Sequence, residues 1–204
     1  HHNKNNFPNL VDKYIDKDQY EYDIVFTEYA GHATELTMKA IDDGFEYIAA
    51  VGGDGTVNEI AKCLIGKEQV LIIIPLGSGN GLARHLKLPL KPKHFITNII
   101  NNGSVQKIDT ATMNDIPFIS VAGIGFDALI AEYFAKDKNR GFLTYAKLVT
   151  EEYPRFKPKK YTLIIDDEKT IECKPFFVTF ANSNQFGYNA EISPKASVQD
   201  GLLD

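Results

Sequence analysis

Cysteine is scarce in this 204-residue chain, which carries 2, Cys63 and Cys173, far apart in sequence. That scarcity excludes a disulfide framework and fits a reducing cytosol. Long apolar runs are missing too. No stretch approaches the ~20 residues needed to span a bilayer, and no signal-peptide pattern precedes the first helical stretch. Nor is there an excess of positive charge, the formal net charge being −5. The molecule as a whole is therefore no binder of polyanions, and contact with nucleic acid or a membrane would need a local basic patch. One basic run occurs at 155–160, RFKPKK. It reads first as a solvated connection and second as a membrane-facing patch. What is present is ordinary for a globular chain: 44% apolar and 24% charged residues. The length suffices for one large or two small domains with a real core.

From residue 22 the texture alternates. The pattern predicts a strand at 22–27 (YDIVFT) and a helix at 31–44. A strand at 47–51 (YIAAV) and a helix at 56–66, stopped by Gly66, come next. A strand at 70–75 (VLIIIP) then leads into a short helix at 80–86, broken by LPLKP. Strands alternating with helices imply parallel pairing, and continuous apolar strands fit a sheet covered on both faces. Near Lys107 the pattern becomes β-rich. A hairpin is predicted around Asn114-Asp115, a second around Asp166-Asp167, and a strand at 176–183, with helices near 127–135 and 143–152. A domain boundary is placed near Ser104. Residues 1–104 are then a nucleotide-binding α/β domain with a parallel sheet, and 105–204 a β-rich antiparallel domain, part of a sandwich.

Two glycine-rich turns carry the chemistry. The first, Gly52-Gly53-Asp54-Gly55-Thr56, follows the strand YIAAV and opens a helix that continues through Val57, Asn58 and Glu59. Ligands of open parallel sheets bind at the carboxyl ends of strands. Glycine permits positive φ and close ligand approach, and a helix start suits phosphate. Asp54 conflicts with phosphate unless it meets magnesium or takes a proton from an attacking hydroxyl. Its plain alternative is an N-cap. The second turn, Gly77-Ser78-Gly79 followed by Asn80, repeats the design one strand later. Together the turns predict a floor of backbone donors for a nucleotide, joined by the Thr56 and Ser78 hydroxyls. Neither is a Walker P-loop or a dinucleotide fingerprint.

The pair GGDGTVNE and PLGSGNGLAR resembles the diacylglycerol kinase catalytic-domain family, which includes bacterial lipid kinases and sphingosine kinases. The resemblance implies an NAD kinase/diacylglycerol kinase-like fold and ATP-dependent transfer of phosphate to a lipid hydroxyl, with magnesium. By the same resemblance, Thr27 in FTEYAGHATEL contacts the nucleotide. Arg140 in KDKNRGFLTYAKL approaches its phosphates, and Asp127 in GIGFDA binds the acceptor's polar head. Asp200, Ser197 and Leu202 in ISPKASVQDGLLD hold a magnesium ion. Asp54 is the expected catalytic residue. The implied partner is a lipid, diacylglycerol or a related one, met at the membrane surface by a cytoplasmic, peripheral enzyme without nucleic acid. A homodimer stays open.

Each position has a plainer reading. Asp127 could cap its helix, Arg140 could be a surface residue, and Asp200-Gly201 could be a hairpin turn. Glu59 favours the helix dipole regardless of function, and His32 orders its loop. The family's upstream Asn-Pro-x-Ser-Gly loop and its late Asp-Gly-Glu element have no match here, which implies that the sequence is part of a longer protein. Two other functions remain: an NAD kinase, against which stands the lack of a Thr-Pro-Thr-Gly-Ser segment, and a non-catalytic protein binding nucleotide and lipid.

Overall fold

The computed structural model describes residues 2–137, 139 and 141–204. The helix α1 (His2–Tyr14) opens the chain, although the sequence reading assigned nothing before residue 22. Its signal was there: Phe7, Leu10, Val11 and Tyr14 recur at helical spacing, and Phe7 and Val11 are buried. Helix α2 (His32–Asp42) follows. Strand β1 (Tyr47–Gly52), helix α3 (Asp54–Leu64), strand β2 (Val70–Pro75) and the short α4 (Gly81–His85) come next, as expected from the pattern. Then α5 (Pro92–Phe95) runs into a π-helical turn, Ile96–Ile100.

Strands β1 and β2 pair in parallel from Tyr47↔Val70 to Gly52↔Pro75. Successive side chains point to opposite faces, and both faces are covered. Ile48, Ala50 and Ile73 pack with Val57, Ile60, Ala61 and Leu64 of α3 and with Ala33 of α2. Ile74, with Val51 and Ile72, packs on the other side against Phe7, Val11, Phe95 and Ile96. That is why these strands are apolar without alternation.

The strand expected at 22–27 does not form. The segment is irregular, with Val25 and Phe26 exposed. Ile24 lends its side chain to the second core and Tyr20 sets its ring edge-on to Tyr47, but no backbone ladder joins them among the described residues. β-propensity without a hydrogen-bonded partner strand does not make a strand.

The later part is antiparallel. Strands β3 (Ala111–Met113) and β4 (Ile116–Phe118) turn at Asn114 and Asp115. Strand β5 (Val121–Gly125) leads into α6 (Phe126–Lys136) and α7 (Phe142–Glu152). Strands β6 (Tyr161–Ile165) and β7 (Lys169–Cys173) turn at Asp166 and Asp167. Both two-residue turns have consecutive left-handed residues, φ 49° and 63° in the first, 51° and 57° in the second. That is the type I′ geometry that suits a twisted hairpin and favours Asn and Asp. Strand β8 (Phe177–Ala181) pairs with β5, and Asp204 exchanges two backbone hydrogen bonds with Ala181. Ile119 and Val198 join the core built on β1, β2 and α3. This packing carries the 118–121 and 183–191 segments over the ends of β1 and β2.

Candidate functional site

The two glycine turns lean on each other. Leu76 and Gly77 both donate their N–H to the Gly52 carbonyl, at 2.9 and 3.0 Å. A Cβ on Gly77 would sit 2.3 Å from the Gly53 Cα, and one on Gly52 would sit 2.7 Å from the Thr56 hydroxyl. Gly77 is needed for backbone-to-backbone packing against Gly53, and Gly52 leaves room for the Thr56 side chain. Positive φ, which the sequence reading allowed for, is absent at Gly52, Gly53, Gly77 and Gly79; the left-handed residue of the second turn is Asn80, at φ 53°. Gly55 differs. It is exposed, and a Cβ there would meet nothing within 4 Å.

Asp54 is the first residue of α3, after an extended Gly53 at φ −98°. Its side chain crosses to the second turn, where the Leu82 N–H donates to Oδ1 at 3.4 Å. Burial pushes its carboxyl above the ordinary carboxylate range, opposed by the backbone N–H groups of Leu82, Gly81, Asp54 itself and Asn80. The donors at the start of α4 thus face Asp54. The donors that α3 leaves without intrahelical partners lie at Gly55 and Thr56. The N–H of Val57 already donates to the Gly53 carbonyl, and its side chain is buried in the core.

Asp54 opens onto a cavity of about 240 Å³. Its walls are apolar at Val57, Leu82, Phe118, Ile119, Val121 and Phe186. Its polar groups are Asp54, Asn58, Ser120 and Gln185. The apolar wall comes from both halves of the chain. The arrangement places a half-buried carboxylate of raised proton affinity beside space suited to an apolar molecule with a polar end.

The remaining expected residues fall in three groups. Gly79 and Asn80 belong to the same loop pair. Gly187 presses on Gly79 so closely that a Cβ on Gly187 would lie 2.7 Å from the Gly79 Cα, and Asn80 is buried with its amide donating to the Gly77 carbonyl at 2.8 Å. Ser78 is exposed beside them, Glu59 is half-buried one turn along α3, and Thr27 is exposed in the irregular segment. Arg140 lies outside the described residues.

Asp127 is in the first turn of α6, where the cap position is Gly125. It accepts the Ala128 N–H at 2.8 Å and the Thr179 hydroxyl at 3.3 Å. Burial pushes its carboxyl upward against those two hydrogen bonds. Its charge, after burial, also helps to raise the Tyr145 hydroxyl. The third group is the 197–202 turn. The Gln199 N–H donates to the Ser197 hydroxyl and the Leu202 N–H to Asp200 Oδ1, at 3.2 and 3.1 Å. Gly201 donates to Asp109 Oδ2 at 2.8 Å. This turn borders a different cavity, of about 260 Å³, through Gly201 and Leu202. The Asp200 carboxylate and the backbone carbonyls of Ser197 and Leu202 are hard oxygen donors of the kind magnesium takes, although among the described residues no three His, Cys, Asp or Glu side chains gather as a metal site.

The sequence reading missed the 182–189 segment. Asn182, Ser183 and Gln185 are buried. The Ser120 and Ser183 hydroxyls lie 2.7 Å apart. Arg84 reaches the Gly79 carbonyl and Asn189, both at 2.9 Å, and the Asn184 N–H donates to His85 at 3.1 Å. The signal was an unbroken polar run, Asn182-Ser183-Asn184-Gln185, directly after an apolar strand.

Residues 1–113 match the family model described as the diacylglycerol kinase catalytic domain, and residues 120–204 match the YegS C-terminal NAD kinase beta sandwich-like domain. A diacylglycerol kinase of Mycobacterium tuberculosis is 30% identical over 181 residues, covering 86% of this chain and 59% of that protein. A diacylglycerol kinase of Bacillus subtilis is 32% identical over 190 residues, covering 91% and 62%. This chain therefore spans about three fifths of the length of these curated relatives. A solved diacylglycerol kinase structure from Bacillus anthracis shares the fold with a TM-score of 0.69 at 23% identity, covering 96% of this chain and 67% of that one. The glycine turns and the parallel strand pair fall within the first match and most of the antiparallel second half within the second: the chain belongs to the diacylglycerol kinase catalytic domain family.

Proposed function

We propose that this chain carries the nucleotide site and much of the acceptor site of an ATP-dependent lipid kinase, acting on diacylglycerol or a related lipid. The observation that supports this reading is the position of Asp54, where two glycine turns meet the floor of an apolar-walled cavity. In this reading residues 1–104 hold ATP and residues 105–204 hold the lipid. The phosphates lie on the open side of Gly55 and Thr56, where the positive end of α3 stabilises negative charge. Gly52, Gly53, Gly77 and Gly79 shape that floor, and Ser78, Asn80, Asn58, Glu59, Thr27 and Arg140 surround it. The lipid hydroxyl enters the cavity and attacks the γ-phosphorus in line. Asp54 takes the hydroxyl proton, the new P–O bond forms, the bond to the bridging β–γ oxygen breaks, and ADP leaves. Burial of Asp54 serves that step, because a carboxylate of raised proton affinity is a better base. Asp127 holds the acceptor's polar head.

Ser197, Asp200 and Leu202 are the residues that would hold magnesium. That ion would tie the 197–202 turn together beside the second cavity, whereas magnesium arriving with ATP would neutralise phosphate charge. No helix among the described residues is long and apolar enough to cross a membrane, and the lipid would be reached from the membrane surface.

The test uses the full natural chain, labelled ATP, magnesium and a total lipid extract, with Asp54→Asn beside it. A labelled lipid formed by the wild type and lost in the variant is the expected result. Label on added NAD instead would move the activity to NAD phosphorylation. No transfer to either, with ATP still bound, would leave a non-catalytic nucleotide-binding protein.

A further inference from the structure

Arg84 has no role in the transfer itself, yet it grips the backbone on which Asp54 rests. Its Nε–H donates to the Gly79 carbonyl, and a terminal N–H donates to Asn189 Oδ1, both at 2.9 Å. The Gly79–Asn80 peptide is trans and planar, so its Asn80 N–H points away from the Gly79 carbonyl. Asp54 lies on that other side. Its Oδ2 is 3.4 Å from where a Cβ on Gly79 would stand, and its Oδ1 accepts the Leu82 N–H. The Asn80 N–H is among the donors that hold its carboxyl down against burial. Local sterics do not fix this peptide: a glycine precedes it, and Asn80, left-handed at φ 53°, follows. The Tyr188 N–H also donates to the Gly79 carbonyl, at the longer 3.3 Å. The charge-assisted bond from a planar guanidinium is the stronger restraint. Among the described residues that line the cavity Asp54 is the one charged group, and what acts on its carboxyl besides burial is backbone N–H groups at the starts of α3 and α4. His85, next to Arg84, turns its Nδ1 to the Asn184 N–H.

We propose that Arg84 is a positioning residue for Asp54: anchored by Asn189, its guanidinium fixes the Gly79–Asn80 peptide and so keeps the Asn80 N–H on the carboxylate. Its use in phosphoryl transfer rests on the lipid-kinase reading above. With Arg84 replaced, the peptide turns and the Asn80 N–H leaves Asp54. The carboxylate then loses a hydrogen bond to its charged form, which raises its proton affinity further. Asp54 stays protonated to higher pH and cannot take the hydroxyl proton there.

The test is an NMR titration of the Asp54 and Asp127 carboxyl carbons in the full natural chain carrying isotope-labelled aspartate, with Asp54→Asn and Asp127→Asn to assign the two signals. Arg84→Gln removes the guanidinium, and Arg84→Lys keeps the charge without the Nε–H. Both are expected to titrate Asp54 about 0.5–1 pH unit above wild type, the scale of one net hydrogen bond. Asp127, on α6, should titrate as in wild type. Unfolding would instead return both carboxyls toward 3.8, so a variant that fails to fold is recognised. With ATP and a lipid acceptor, the acid limb of kcat against pH should move up by the same amount. If wild type phosphorylates no lipid, the kinase reading fails, while the titration without substrate still decides whether Arg84 positions Asp54. An Asp54 value unchanged in Arg84→Gln, a return to the wild-type value in Arg84→Lys, or an equal upward shift of Asp127 would overturn the assignment.

Discussion

Replacing Asp54 by Asn separates what this side chain does for stability from what it does for chemistry. Its carboxyl is pushed up from 3.8, first by burial. The folded chain therefore holds a proton there at pH values where the unfolded chain has released it. Stability falls as pH rises from about 3.8 through the raised folded-state value, and the penalty is complete above it. Asn removes the charge but keeps an oxygen that can accept the Leu82 N–H. Asp54→Asn should thus melt above wild type at pH 7, by about 2–4 °C for each kcal/mol released in a chain of this size. The difference should shrink as pH is lowered toward 3.8. Asp54→Ala removes the acceptor too. It leaves the N–H groups at the start of α4 without their carboxylate and should melt lower, by about 1–3 kcal/mol. Both variants should lose about 10²–10⁴-fold in kcat if Asp54 takes the proton. Calorimetry across pH and a labelled-ATP assay on the same preparations are sufficient. A lower Tm for Asp54→Asn at pH 7, or activity within tenfold of wild type, would refute the account of a strained carboxylate retained for proton transfer.

The two glycine classes give opposite expectations. Gly77→Ala forces a Cβ against the Gly53 backbone at 2.3 Å and should destabilise by about 1–3 kcal/mol by urea unfolding. Gly55→Ala meets open space and should stay within about 0.5 kcal/mol of wild type while raising the KM for ATP; an unchanged KM would move the phosphates away from α3. Ile74 is 1% exposed at the centre of the second core, so Ile74→Ala should cost about 2–5 kcal/mol in the same unfolding measurement. Chelation of magnesium should lower the Tm of wild type but not that of Asp200→Asn. An equal drop in both would place the ion elsewhere.

Much of the architecture was legible along the chain because it is written in local patterns. Apolar runs marked β1 and β2, paired Asn-Asp and Asp-Asp steps marked both type I′ hairpins, and Gly66 marked the end of α3. Asp54 stood out because a carboxylate in a glycine turn contradicts simple phosphate binding. The strand expected at 22–27 failed because a strand exists only with a partner, and pairing is not a property of six residues. The helix α1 was overlooked although its spacing was readable. The reason for the glycines also changed. The sequence permitted either positive φ or ligand approach, whereas Gly53 and Gly77 are small because they touch each other.

By itself, the sequence determined most of the elements from α2 onward, the two glycine turns, the candidate Asp54 and the family resemblance. Each rests on residues adjacent in the chain, where periodicity and turn chemistry act. Tertiary structure alone decided that Asp54 spans both turns, that its burial raises its proton affinity, and that Ser120, Phe186 and Gln185 close the cavity over it. Gln185 lies 131 positions beyond Asp54 (185 − 54). The packing of Ile119 and Val198 into the first core, with the Arg84–Asn189 and Asn184–His85 hydrogen bonds, brings such distant segments together, and desolvation follows from what surrounds a side chain in space.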